Sequence, residues 1–94
     1  MSDLTIAKTI VSQIIALDKW ALGAWGVSEK IGTDEGLYMK VRGPKFKGRV
    51  AIMLDFASDT YTVTTYKRDN TSVIEEIKDV HAEELINLLD RIIG

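Results

Sequence analysis

A two-layer α+β domain is the fold this sequence predicts: a helix, four or five antiparallel strands in a meander, then a second helix, with both helices on one face of the sheet. The first observation behind it is a period-two pattern through the middle of the chain. Leu37, Met39 and Val41, then Val50, Ile52, Leu54 and Phe56, share one side, while Tyr38, Lys40, Arg42 and Arg49 take the other. Alternation of this kind buries one face of a strand and leaves the other in water. The second observation is a pair of apolar stripes at three- and four-residue steps, one near each end, the spacing of a helix with a single buried face. The third is size and composition. Ninety-four residues with 46% apolar and 28% charged content, one proline and no low-complexity tract predict a single globular domain, residues 1–94, with a small core.

The opening helix carries Leu4, Ala7, Ile10, Val11, Ile14 and Ile15 on its stripe, with Ser2 or Asp3 as its cap and an end near Asp18. Residues 19–28 hold two tryptophans and two glycines within seven positions, a composition that favours a closely packed strand over a continued helix. On a strand Trp20 and Trp25 face opposite sides, so one is expected in the core and the other on the open face or in a dimer contact. Gly32-Thr33-Asp34-Glu35-Gly36 is a turn by composition. Strands follow at 37–42 and 49–56, joined by the glycine-bracketed loop 43–48 with Pro44, which reads as a hairpin connection.

A turn at 57–59 leads into 60–68, rich in Thr, Tyr and Val, with Tyr61 and Val63 on one face and Thr62, Thr64 and Tyr66 on the other. After a polar turn at 69–72, residues 73–80 form a last strand. Its alternation is broken because Val73 and Ile77 share a parity with Glu75, which points to an edge position or a bulge. The closing helix, from about His81 to Ile93, has Leu85, Leu88, Leu89 and Ile92 as its stripe, and Glu83 and Glu84 in the first turn, where the helix dipole favours anions.

Composition excludes several classes of chemistry. With no Cys there are no disulfides and no thiolate site, and with one His and no Ser in a glycine-flanked elbow the usual nucleophile and base pairings cannot be assembled. His81 is read as a helix-start residue. The adjacent acids Asp34-Glu35, Glu75-Glu76 and Glu83-Glu84 diverge on a strand or a helix, so none makes a two-carboxylate site alone. No calcium-loop spacing is present, and the 43–48 loop fails as a phosphate loop because Arg49-Val50 and a strand follow it. No enzyme activity, cofactor or metal is therefore expected. The start of the chain lacks a long apolar run and does not read as a signal peptide, so a cytoplasmic location without membrane contact is expected, and Asn70-Thr71-Ser72 reads as a turn rather than a glycosylation site.

Charge is unevenly placed. The whole chain is −2, but Tyr38 to Arg49 carries five cations and no acid, whereas residues 69–94 carry seven acids and two cations. A local positive surface can persist on such a chain, although the acidic third weakens long-range attraction to a polyanion. In a meander the outward residues of neighbouring strands lie side by side, so Tyr38, Lys40, Arg42, Arg49, Thr62, Thr64, Tyr66 and Arg68 are expected to form one surface, extended by Lys45, Phe46 and Lys47 on a mobile loop. Cations neutralise phosphates and tyrosines stack on unpaired bases. The same residue types also furnish any exposed sheet face, and edge lysines deter aggregation.

The runs Ala21-Leu22-Gly23-Ala24-Trp25-Gly26, Leu37-Tyr38-Met39-Lys40-Val41-Arg42-Gly43, Lys47-Gly48-Arg49-Val50, Asp59-Thr60-Tyr61-Thr62-Val63 and Asp79-Val80-His81 resemble small uncharacterised α+β proteins common in bacteriophages and other mobile elements. The chain departs from them at Trp25-Gly26, where they tend to carry an Ala-Gly-Ala step followed by Lys-Asn. The resemblance implies a small phage- or mobile-element-encoded protein and brings no functional residues with it. The function expected on all these grounds is a non-enzymatic binding module, acting through a protein partner or self-association as a possible homodimer. The alternative is single-stranded nucleic-acid binding by Tyr38, Lys40, Arg42, Lys45, Lys47, Arg49 and Tyr66, with Phe46 at the loop.

Overall fold

The computed structural model describes residues 5–17, 19–67 and 72–94. It is an α+β fold in the order α1 (Thr5–Leu17), α2 (Ala21–Ala24), β1 (Glu29–Gly32), β2 (Gly36–Arg42), β3 (Lys47–Asp55), β4 (Thr60–Tyr66), β5 (Val73–Val80) and α3 (Ala82–Ile93). The five strands form one antiparallel sheet in sequential order β1-β2-β3-β4-β5, the meander expected. The proposed caps Ser2 and Asp3, Leu4, Arg68 and the turn residues 69–71 lie outside the described residues.

The alternation of β2 to β4 becomes a core through register. Leu37 lies opposite Ile52, which lies opposite Val63, and Met39 lies opposite Val50. These side chains, with Val41, Tyr61 and Val80, meet Ala7, Ile10 and Ile14 of α1 and Leu85, Leu88, Leu89 and Ile93 of α3 in one apolar cluster. Because the cluster draws on a single parity of each strand, all helical cover lies on one side and the other side of the sheet is free.

Residues 19–28 are not a strand. The chain makes a turn at Lys19-Trp20, the short helix α2 and a further turn, and this segment tucks Trp25 completely under the helices. Its indole Nε1 donates to Asp90 Oδ1 of α3 at 3.3 Å. Trp20, at 73% exposure, stands outside with the Lys19 ammonium 5.2 Å from its ring centroid. One tryptophan is thus inside and one outside, but a helical turn separates them rather than strand parity. Gly26 makes the exit possible: its φ is +62°, and a Cβ there would stand 2.7 Å from the Arg42 carbonyl oxygen, so only glycine fits without strain. The released chain runs beside the end of β2, where Arg42 N–H donates to Trp25 O and Ser28 N–H to Lys40 O. The first strand of the sheet is therefore β1, about ten residues later than the sequence pattern suggests.

Two further differences are local. Phe56 was expected on the buried side, yet it is exposed, because β3 ends at Asp55, whose carbonyl accepts from Asp59 N–H and whose Oδ1 accepts from Ala57 N–H. Ile15 is also exposed, at the rim of the α1 stripe. The broken alternation of β5 has the expected form: it is an edge strand with register shifts at both ends of its pairing with β4, and Asp79 has φ +59°.

Tyr61 ties the sheet to α1. Its hydroxyl donates to Gln13 Oε1 at 3.1 Å, and burial, reinforced by the charge of Asp59 and opposed by the Gln13 hydrogen bond, holds its pKa above the ordinary 10.0. A raised value means the folded state retains the proton longer than the unfolded chain. This contribution to stability is whole below the unfolded value and is lost as pH climbs through the folded one. Tyr61→Phe is expected to flatten the alkaline fall in stability above about pH 10 and to cost roughly 1 kcal/mol at neutral pH from the lost hydrogen bond. Urea melts of both proteins across alkaline pH measure this, and parallel pH profiles would refute it.

Candidate functional site

The free face of the sheet is built by the residues that alternate with the core. Ile31, Tyr38, Ala51, Thr64 and Glu76 form one row across all five strands, and Glu29, Lys40, Arg49, Tyr66 and Val73 form the next. Beyond them Arg42 pairs with Lys47, and on the other side Met53 lies between Gly36 and Thr62. The middle of the face is made of small residues: Ala51 and Thr64 are buried between taller neighbours although no layer covers them.

Six of the eight residues singled out from the sequence meet on this face: Tyr38, Lys40, Arg42, Lys47, Arg49 and Tyr66. Lys40, Arg42 and Lys47 are exposed, and Tyr38, Arg49 and Tyr66 are half-buried. Two pairs of like charge, Lys40 with Arg49 and Arg42 with Lys47, sit directly opposite each other on adjacent strands, an arrangement that costs stability. Among the described residues no carboxylate forms an ion pair with any of these four; the one salt bridge is Lys78 to Glu76 at 3.5 Å, on β5. Glu29 shares the row and lies opposite Lys40 without pairing with it. A notch of about 270 Å³ lined by Gly26, Ser28, Lys40, Val41 and Arg42 opens at the end of β2.

The remaining two residues sit elsewhere. Phe46 does not project as a free aromatic: it is half-buried and packs against the core cluster, with its ring over Gly48. Nor does its loop hang free. Gly43 N–H donates to Phe46 O, and Lys45 N–H donates to Ile93 O at the end of α3. Lys45 itself is exposed on that loop. Residues missed from the sequence are Ala51, which strand parity alone places on the free face, and Glu29 and Ile31, because β1 carries no alternation to mark it.

His81 occupies the N-cap position of α3 with no side-chain cap bond. Among the described residues no three His, Cys, Asp or Glu side chains converge as a metal site, and no helix is long and apolar enough to cross a membrane. Fold and face together define an α+β protein with an open antiparallel sheet whose free side is basic and aromatic. Comparison of the chain with protein-family models, with curated proteins and with solved structures finds no match.

Proposed function

We propose that this chain is a small non-enzymatic binding module whose working surface is the free face of the sheet, and that the ligand this face suits is a single strand of nucleic acid. The observation that carries the reading is the pair of directly opposed like charges, Lys40 with Arg49 and Arg42 with Lys47, left without described carboxylate partners. Such pairs weaken a sheet unless an anion answers them. A backbone phosphate at the notch beside Lys40 and Arg42, with bases lying on Tyr38 and Tyr66, would do so. A flat platform suits an extended strand, whose bases are accessible, better than a small metabolite, which needs a concave site.

The test is titration of labelled single-stranded DNA and RNA oligonucleotides at low salt, followed by a salt series. With the four cations of the face engaged, log K against log salt is expected to fall with a slope of about −2.8, so a rise from roughly 50 to 200 mM salt should weaken binding about 50-fold. Absence of binding at low salt would refute the reading.

A second reading, interaction with protein, is favoured by a separate observation: apolar residues stand exposed on the outer strands, Ile31 on β1 and Val73 and Ile74 on β5. Origin in a phage or mobile element, implied by the resemblance above, belongs to the same proposal and accords with either kind of binding.

A further inference from the structure

We propose that the chain pairs with a second copy of itself through the outer edge of β1, joining two five-stranded sheets into one continuous sheet about a two-fold axis. The argument begins with the hydrogen-bond phase. Thr33 N–H donates to Gly36 O across the β1–β2 turn, so in the antiparallel ladder the odd-numbered residues of β1 turn their backbone groups toward β2. The backbone groups of Lys30 and Gly32 then point away from the sheet, with no partner among the described residues. Unpaired edge groups are a template for another strand unless the protein blunts them.

The two edges differ in this respect. β5 is interrupted by register shifts and carries Glu75, Glu76 and Asp79, so a second acidic, bulged β5 is repelled. β1 pairs with β2 without a shift and presents Ile31 at 41% exposure. Antiparallel pairing of two β1 strands with Ile31 at the axis sets Lys30 against Gly32 of the partner subunit on both sides. These are the residues whose backbone groups are free, and they form the hydrogen-bonded pairs. The two Ile31 side chains meet at the close, non-hydrogen-bonded position. Charge permits this register: no like charges stand directly opposite each other, and of the two diagonal neighbours of Lys30 one is the partner's Asp34 and the other the partner's Lys30.

A second observation points to the same edge. An apolar groove of about 430 Å³ runs between α1 and β1, lined by Ala7, Lys8, Val11, Ser12, Lys30, Gly32 and Leu37. Exposed Ile15 continues the Val11 side of α1 one turn further. Strand pairing brings the two α1 helices toward each other over this groove, so apolar surface is covered along with the strand edges. The free faces of the two sheets then become one, with the Lys40 and Arg49 rows on both sides of the axis. The dimer does not depend on what that face binds.

Sedimentation equilibrium over a wide concentration range is expected to show the mass rising from 10.5 kDa toward twice that. Lys30→Pro removes an outward N–H that no described strand uses, a substitution edge strands tolerate, and Ile31→Glu sets two carboxylates at the axis; each should hold the protein monomeric while its circular dichroism is unchanged. Because the chain has no cysteine, Ile31→Cys offers a geometric test that does not require a disruptive variant. Close opposed strand positions lie within disulfide reach, so mild oxidation should give a covalent dimer, whereas Ile74→Cys on the other edge should stay single. A mass independent of concentration, a dimer that survives both Lys30→Pro and Ile31→Glu, or equal cross-linking at positions 31 and 74 would each overturn the proposal.

Discussion

Trp25→Ala is expected to remove about 3–5 kcal/mol of stability, the range for deleting a fully buried large aromatic. A domain of this kind has only about 5–15 kcal/mol in total, so the variant should be partly or wholly unfolded at room temperature. The reasons are specific to the site. The indole is completely excluded from solvent within the cluster that unites α1, α3 and the sheet, and it enters from a short segment held by Gly26, so little of the surrounding backbone can collapse into the space left behind. The hydrogen bond to Asp90 is the smaller part. At 3.3 Å to an exposed carboxylate, its loss in Asp90→Ala should cost no more than about 1 kcal/mol. Trp20→Ala is the control, and at 73% exposure it should fall within about 0.5 kcal/mol of the parent. Urea unfolding followed by circular dichroism ranks the three, and Trp20→Phe isolates Trp25 fluorescence, which should be blue-shifted and shielded from iodide. A Trp25→Ala cost near that of Trp20→Ala would mean that the chain between α1 and β1 is wrongly placed.

That segment is also where sequence reasoning fell short, for a physical reason. The strands β2, β3 and β4 were legible because each has one face in the core and one in water, which writes a period of two into the residue types. The helices α1 and α3 were legible for the same reason with a different period. Residues 19–28 have no such asymmetry: small residues and tryptophans fill a bend whose path is set by a left-handed glycine and by contacts with Arg42, far away in the chain. β1 left no pattern because a four-residue edge strand, exposed along most of its length, has no buried face to mark. Phe46 looked like a loop aromatic between two lysines, and only the packing of the hairpin against the core shows its ring held inward. The candidate face was legible to the extent that it depends on strand parity, which placed five of the eight residues, and illegible where it depends on loop conformation: Lys47, expected on the loop, is the first residue of β3.

Reversing two charges, Arg42→Glu with Arg49→Glu, is expected to abolish single-stranded nucleic-acid binding while the fold persists. Each substitution breaks one of the two opposed like-charge pairs, Arg42 with Lys47 and Arg49 with Lys40, and places a carboxylate opposite a lysine. The sheet should therefore be unchanged or slightly stabilised, by a few tenths of a kcal/mol for each pair. Binding moves the other way. Two phosphate contacts are lost and two repulsive charges are added on a face with four described cations, so the charge these four positions turn to the strand falls from four to about zero. On a slope near −0.7 per phosphate for single strands, the salt dependence should shrink from about −2.8 toward zero, and affinity at low salt should fall roughly 100-fold or more. Opposite signs for stability and binding are the discriminating feature, because a cationic face that only solvates the sheet would gain stability with no binding to lose. Tyr38→Ala and Tyr66→Ala should act differently again. Stacking is worth about 1–3 kcal/mol per base and is nearly independent of salt, so these variants should weaken binding while leaving the slope near its parent value. Fluorescence anisotropy across a salt series, beside thermal melts of the same proteins, measures both quantities. Binding retained by the double reversal would remove the free face from consideration as a nucleic-acid site.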